Sequence, residues 1–95
     1  MATTEVVQDA AMNRFELLVD GEQAGVADYV ERDGEIVFTH TEVDPSRREK
    51  GLGSELAKGA LNLVRAESDA RVVASCPFIA AYIDEHPDYQ DLLSR

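Results

Sequence analysis

Two Asp-Gly pairs divide the first half of the chain into strand-like segments, and they constrain the fold more than any other feature. Asp20-Gly21 follows a segment of alternating apolar and polar residues, and Asp33-Gly34 separates the next two segments. Both central residues of a tight type I′ turn need a positive φ, which Gly adopts freely and Asp tolerates. The pattern therefore predicts an antiparallel meander of three strands, over residues 12–19, 26–32 and 35–43.

The hydrophobic period changes in the second half of the chain. Apolar residues recur at helical spacing from Leu52 to Ala66, which predicts an amphipathic helix. The short apolar segment Arg71–Ser75 then predicts a buried strand. A strand reached through a crossover helix pairs parallel in the same sheet, so we expect it beside the third strand. Pro77 suits the first turn of a C-terminal helix, which His86-Pro87 ends.

These elements make one unit of the α+β class with a mixed sheet, in the order β-β-β-α-β-α. A chain of 95 residues holds a single domain. We place that domain at residues 12–95. Residues 1–11 are expected to form a loose lead-in.

Composition excludes several classes of function. The chain carries 9 Lys and Arg against 19 Asp and Glu, a net charge of −10, which argues against nucleic acid as the main partner because neutralising phosphates needs a basic face. No apolar run approaches the length of a membrane span, and the N-terminus has no signal-peptide pattern, so we expect a cytoplasmic protein. A single cysteine excludes an internal disulfide and argues against a thiolate zinc site.

The segment from Arg47 to Ser54 is the most informative for function. It places three basic residues and two glycines between a strand and the start of the long helix. The first turn of a helix has backbone N–H groups without intrahelical partners and a partial positive charge, which together suit an anion such as pyrophosphate. The alternative is a solvated basic loop whose glycines only shape the turn. Its position before an amphipathic helix favours anion binding.

This loop resembles a motif of the GNAT superfamily of N-acetyltransferases, Arg/Gln-x-x-Gly-x-Gly/Ala, matched by Arg48-Glu49-Lys50-Gly51-Leu52-Gly53. The surrounding order of elements is similar as well. The chain further resembles a subgroup of very small, or minimal, acetyltransferases of about this length. That likeness covers residues 13–93 and rests on three more stretches, His40-Thr41-Glu42-Val43, Cys76-Pro77-Phe78, and Tyr82 with His86-Pro87-Asp88-Tyr89.

The resemblance implies a minimal GNAT-like fold and an N-acetyltransferase that uses acetyl-CoA as its acetyl donor. The pyrophosphate of the donor would bind the loop, and its pantetheine arm would lie between the third and fourth strands, which separate in this fold. A backbone N–H near Val43 would stabilise the oxyanion that develops on the thioester. The residues expected to bind the donor are therefore Val43, Arg48, Lys50, Gly51, Leu52, Gly53 and Ser54.

The acceptor site does not transfer from the family. By that resemblance, we expect no counterpart here of the N-terminal helices that help to form that site, nor of the C-terminal strands of the superfamily. We expect the acceptor to be a small-molecule amine or a lysine-bearing protein. The exposed sheet edge is compatible with either a monomer or a weak homodimer.

Four residues are candidates for the chemistry of transfer. Cys76 can contact the thioester or carry the acetyl group, although a lone cysteine is commonly an inert core residue. His40 and Glu42 share one strand face, and either can take a proton from an ammonium acceptor, unless that face is merely solvated. Tyr82 can protonate the departing CoA, but its helical spacing equally predicts core packing.

Two other functions remain open. The chain can be a CoA-binding or acyl-CoA-binding module without catalysis of its own, because the acceptor-side elements are missing. It can also be an acidic interaction protein that binds no CoA, which leaves the basic loop unexplained. We expect no metal, since His40 and His86 lack further ligands at suitable spacing.

Overall fold

The computed structural model describes residues 3–47 and 51–95. Its five strands form one mixed sheet in the order β1-β2-β3-β4-β5, and two α-helices and a C-terminal 3-10 helix pack against it. The elements of the sheet and the helices, in chain order, are β1 (Thr4–Asp9), β2 (Arg14–Val19), β3 (Glu22–Arg32), β4 (Glu35–Val43), α1 (Leu52–Glu67), β5 (Arg71–Ala74), α2 (Pro77–Glu85) and the 3-10 helix (Pro87–Ser94).

The meander has four strands, so the prediction of three strands misses one, at its N-terminal edge. Residues 4–9, expected within a loose lead-in, form β1, which pairs antiparallel with β2 from Thr4–Val19 to Asp9–Arg14. Only Val6 of this strand packs against the core, so β1 lacks the alternation that marks β2. An edge strand that buries one side chain leaves little signal in the sequence.

Both Asp-Gly turns form as predicted. Asp20 and Gly21 have φ values of 52° and 84°, and Asp33 and Gly34 have values of 47° and 78°. All four lie in the left-handed region that a type I′ turn requires. The turns join β2 to β3 and β3 to β4, and they set the antiparallel registers of these pairs.

A bulge in the centre of β4 reverses its alternation. Tyr29 of β3 pairs with Phe38, whereas the preceding residue, Asp28, pairs with His40, so Thr39 is an extra residue. Beyond the bulge, Val43 therefore joins Phe38 on the face that packs against the core, whereas the regular alternation of a strand would predict that it lies on the same face as Val37.

The helices and the core lie on one face of the sheet, here called the inner face. The buried side of α1 packs across β1, β2, β3 and β4, and α2 and the 3-10 helix extend the same core beyond β5. At its centre three aromatic rings from neighbouring strands are in contact, those of Phe15, Tyr29 and Phe38. In the described part of the chain no helix covers the opposite, open face of the sheet.

The last residues anchor the 3-10 helix to α1. Arg65 of α1 donates two hydrogen bonds to the Asp91 carboxylate, at 2.8 and 2.9 Å, and a third to the Asp88 carbonyl oxygen. Tyr89 donates from its hydroxyl group to the Asn62 side chain at 2.8 Å. These contacts hold the C-terminal segment against α1 and thereby fix the position of α2.

Gly59 lets α1 approach β1 closely, and we predict that Gly59→Ala destabilises the fold. A Cβ at this position would lie 2.5 Å from the Val6 Cβ, closer than two carbons can approach. Alanine gains about 1 kcal/mol over glycine in a helix, but overpacking typically costs about 1–3 kcal/mol and should outweigh that gain. Denaturant unfolding should show the loss, with Lys58→Ala on the exposed side of α1 as the control.

The double variant Val6→Gly/Gly59→Ala separates the two effects. Removing the whole Val6 side chain, its Cβ included, makes room for the new Cβ, so the double variant should be more stable than the sum of the single changes predicts. A single Gly59→Ala variant that is more stable than the wild type would contradict the close packing.

Candidate functional site

A cleft opens where β4 and β5 separate. The two strands pair in parallel from Glu35–Arg71 to Phe38–Ala74, and the Cys76 N–H then donates to the Phe38 carbonyl oxygen at 2.9 Å. β4 continues to Val43, whereas the chain after Cys76 turns into α2. The space between them has a volume of about 350 Å³ and is bounded by Thr41, Val43, Gly53 and Phe78.

The mouth of the cleft lies at the N-terminus of α1. Gly51 precedes the helix with a φ of 79°, a left-handed conformation that glycine adopts without strain, and its carbonyl oxygen accepts from the Glu55 N–H at 2.9 Å. No side chain of the described residues caps this helix end. The N–H groups of Leu52, Gly53 and Ser54 are therefore available to an anion.

The predicted phosphate-binding residues have different local roles. Leu52 is buried in the core, so only its backbone is available to a ligand. Gly53 has ordinary helical geometry, and its lack of a side chain makes room for the Phe78 ring, whose Cζ atom would lie 2.8 Å from a Cβ there. Ser54 is exposed. The predictions for Arg48 and Lys50 lie outside the described residues.

Cys76 is the N-cap residue of α2 and lies behind Thr41, which lines the cleft. Its side chain is buried, and Sγ lies 3.4 Å from the Thr41 hydroxyl oxygen. Burial raises the pKa of the thiol, but hydrogen bonds from the Thr41 hydroxyl, from the N–H groups of Ile79 and Phe78 and from the Thr41 N–H outweigh it. The pKa of Cys76 is therefore lowered, as is typical of thiols at helix N-termini.

Tyr82 lies in the core, on the helix that Cys76 begins. Its ring stacks on His86, with 3.9 Å between ring centroids, and the two rings are nearly parallel. Burial raises the pKa of Tyr82, and the negative groups of Tyr89, Asp88 and Glu55 raise it further. The phenol is therefore held in its neutral form, which can donate a proton, although no hydrogen bond joins it to another described residue.

His40 and Glu42 lie on the open face, as a consequence of the bulge. Their side chains are 61% and 69% exposed, and 3.9 Å separates His40 Nε2 from Glu42 Oε1. Thr41 lies between them in sequence and faces the core side, opposite Ala27. The structure therefore brings Cys76 and Thr41 together, and it places His40 and Glu42 on the other side of the same strand.

Two residues of the cleft are missed by sequence reasoning. Phe78 is 42% exposed, so its ring forms a wall of the cleft although the helical spacing predicts core packing. Thr41 contacts a residue 35 positions away, and no local pattern marks that contact. The position of the Cys76 thiol at a helix N-terminus can be predicted from the Cys-Pro dipeptide, because proline favours the first helical position and leaves the preceding residue as the N-cap.

The described residues contain neither a cluster of metal ligands nor a helix that could span a membrane. No group of three or more His, Cys, Asp or Glu side chains is arranged to hold a metal ion in residues 3–47 and 51–95. None of the helices in these ranges has the length and hydropathy that a membrane span requires.

Comparison with known proteins identifies the family. No curated protein matches the chain. A family model described as GCN5-related N-acetyl-transferase matches residues 14–92, which include β2 through α2 and most of the 3-10 helix. The chain therefore belongs to the GCN5-related N-acetyltransferase family, the GNAT superfamily.

Proposed function

We propose that this protein is an acetyl-CoA-dependent N-acetyltransferase that transfers an acetyl group to an amine. The observation that carries the proposal is the cleft between β4 and α2. Gly53, in the first turn of the uncapped helix α1, lines one side of it, and Thr41, whose hydroxyl group contacts the buried Cys76 thiol, lines another. A long, thin donor with an anionic head and a reactive thioester end matches this arrangement.

The donor's pyrophosphate would bind at the start of α1. The N–H groups that follow Gly51 supply hydrogen-bond donors, and the helix dipole favours negative charge there. Arg48 and Lys50 precede this point in the sequence, so their side chains are expected to add charge-assisted hydrogen bonds. The basic loop offsets the negative charge of the rest of the chain at the position where an anion binds.

The pantetheine arm would then extend along the part of β4 that β5 leaves unpaired. The walls there combine the Val43 and Phe78 side chains with the bare backbone of Gly53, which suits a slender chain of amide and methylene groups. Backbone groups of β4 beyond Phe38 have no β5 partner. Apart from the Thr41 N–H, which donates to the Cys76 sulfur, they are therefore available to pair with the pantetheine amides and to stabilise an oxyanion on the thioester carbonyl.

The acceptor amine would approach from the open face. Since β5 ends at Ala74, no strand separates that face from the cleft beside the outer half of β4. His40 and Glu42 project on the acceptor's side, where either can take the proton that an ammonium group must lose before it attacks. Their acidic surroundings favour a cationic acceptor, a small amine or a lysine side chain.

Two routes are compatible with a thiol behind the wall of the cleft. In direct transfer, the amine nitrogen attacks the thioester carbonyl, the carbon–sulfur bond breaks, and CoA leaves as a thiolate that takes up a proton. In the other route, the Cys76 sulfur first accepts the acetyl group and releases CoA, and the amine then attacks the new thioester. Tyr82 is a candidate proton donor to the departing sulfur in either case.

Calorimetric titration tests the donor site. We expect micromolar binding of acetyl-CoA and CoA to the wild type, and at least about tenfold weaker binding to Arg48→Ala, because hydrogen bonds to charged groups contribute about 1.5–3 kcal/mol. Pantetheine without phosphates should bind weakly and equally to both proteins. Arg32→Ala removes the same charge at the C-terminal end of β3, beside the Asp33-Gly34 turn, and should bind like the wild type.

Unchanged affinity for CoA in Arg48→Ala would contradict the phosphate site. If neither the wild type nor any variant binds acetyl-CoA or CoA, the donor proposal is wrong.

An amine panel tests catalysis. We expect CoA release from acetyl-CoA that requires both the protein and an amine, and we expect Cys76→Ala to slow it by at least about tenfold, the effect of losing a group that contacts the reacting carbonyl. Ser75→Ala, which changes the exposed neighbouring residue, is the control. Mass spectrometry of the quenched wild type distinguishes the routes, since only the second one adds an acetyl group to the protein.

Binding of acetyl-CoA without transfer to any amine would contradict the enzyme proposal. The protein would then be a CoA-binding module.

A further inference from the structure

The contact between Thr41 and Cys76 is the one side-chain hydrogen bond between β4 and the start of α2 among the described residues. It joins the Thr41 Oγ1 and Cys76 Sγ atoms at 3.4 Å, within the sulfur hydrogen-bond range. The β4 bulge creates it, because without the extra residue Thr39 the Thr41 side chain would face the open side of the sheet.

We propose that Thr41 is a positioning residue whose hydroxyl group, at the wall of the cleft, fixes the Cys76 sulfur and donates a hydrogen bond to its thiolate. The contribution to acyl transfer rests on the proposed function. The contribution to the ionisation of the thiol does not, and it can be measured in the protein without any substrate.

The hydrogen bond changes direction when the thiol ionises. The neutral thiol donates a hydrogen bond to Thr41 Oγ1. Once the sulfur has lost that proton to solvent it can only accept, and the freely rotating hydroxyl turns to donate to it. The same group therefore holds the sulfur in both states.

Three backbone donors act with the hydroxyl. The N–H groups of Phe78 and Ile79, in the first turn of α2, point at the sulfur, as does the Thr41 N–H on the unpaired side of β4. Together they lower the pKa of the thiol despite its burial. Of these donors, only the Thr41 hydroxyl can be removed by substitution without changing the backbone.

Charged side chains of the described residues are placed away from the thiol. On β4, His40 and Glu42 project from the open face. On α2, Asp84 and Glu85 lie at the C-terminal end, whereas Cys76 lies at the N-terminal end. On α1, the acidic residue of the first turn is Glu55. The leading influences on the thiol are burial and uncharged donors, so its titration should depend little on salt.

The single cysteine makes the test direct, because thiolate absorbance reports this group alone. Thr41→Val keeps the shape of the side chain and removes the hydroxyl, so the titration midpoint should rise by about one pH unit, the scale of a hydrogen bond to a charged group. Thr41→Ser keeps the hydroxyl and should titrate like the wild type. Thr39→Val is the matched control, since the Thr39 hydroxyl donates instead to the Asp28 carbonyl oxygen at 3.4 Å.

The rate of alkylation by iodoacetamide provides the second readout. At a pH below the midpoint, Thr41→Val should react roughly threefold more slowly than the wild type and Thr41→Ser, because the lower thiolate fraction is partly offset by the higher nucleophilicity of a more basic thiolate. Circular dichroism establishes that each variant is folded. If Thr41→Val does not fold, two other results overturn the proposal. One is a titration midpoint for Thr41→Ser that differs from that of the wild type. The other is a wild-type midpoint at the ordinary value for cysteine.

A folded Thr41→Val variant with the wild-type midpoint and alkylation rate also overturns it. The titration of the thiol and the amine panel test the two proposals independently. A raised midpoint in a protein that transfers nothing would leave the role of Thr41 in place and contradict the enzyme proposal. Acetyl transfer by the wild type, together with an unchanged titration midpoint in Thr41→Val, would support the enzyme proposal and contradict the role of Thr41.

Discussion

Pro77 ends the pairing between β4 and β5, and the arrangement of the site depends on that. The fixed φ of proline suits the first turn of a helix, where its missing N–H leaves no intrahelical hydrogen bond unmade. The chain therefore leaves the sheet after Cys76 while β4 continues for five residues beyond Phe38. One residue thus opens the cleft and places the only cysteine at a helix N-terminus, where backbone donors favour the thiolate.

The bulge at Thr39 then divides the functional groups between two sides of one strand. Thr41 and Val43 face the cleft, and His40 and Glu42 face the open side. A regular strand would have placed His40 and Glu42 towards the helices and Thr41 towards solvent. A donor and an acceptor can therefore approach the same strand from opposite faces, and β5 is too short to separate them.

The features that could be predicted from sequence are those that local chemistry determines. The Asp-Gly pairs fix two turns, the apolar period fixes α1 to within one residue, and Pro77 marks the start of α2. The family and the α+β class with a mixed sheet are confirmed. Each of these depends on residues that are neighbours in the chain.

The features that could not be predicted depend on residues far apart in the sequence. β1 forms because Gly59 of α1 leaves room for Val6, and neither residue signals the contact alone. The bulge has no glycine or proline at Thr39 or His40 to mark it. The contact between Thr41 and Cys76 exists only when the sheet and α2 have both formed.

The order of the sheet has a consequence for how the fold is stabilised. β1 through β4 are joined by short turns, so each antiparallel pair closes a small loop, whereas β5 reaches β4 only across α1. Pairings distant in sequence carry the larger loop-closure entropy and tend to form late. The four residues of β5 and the helix after it thus form the wall of the cleft that is most easily lost. A ligand that bridges α1 and α2 would bind only the closed form and so favour the last step of folding.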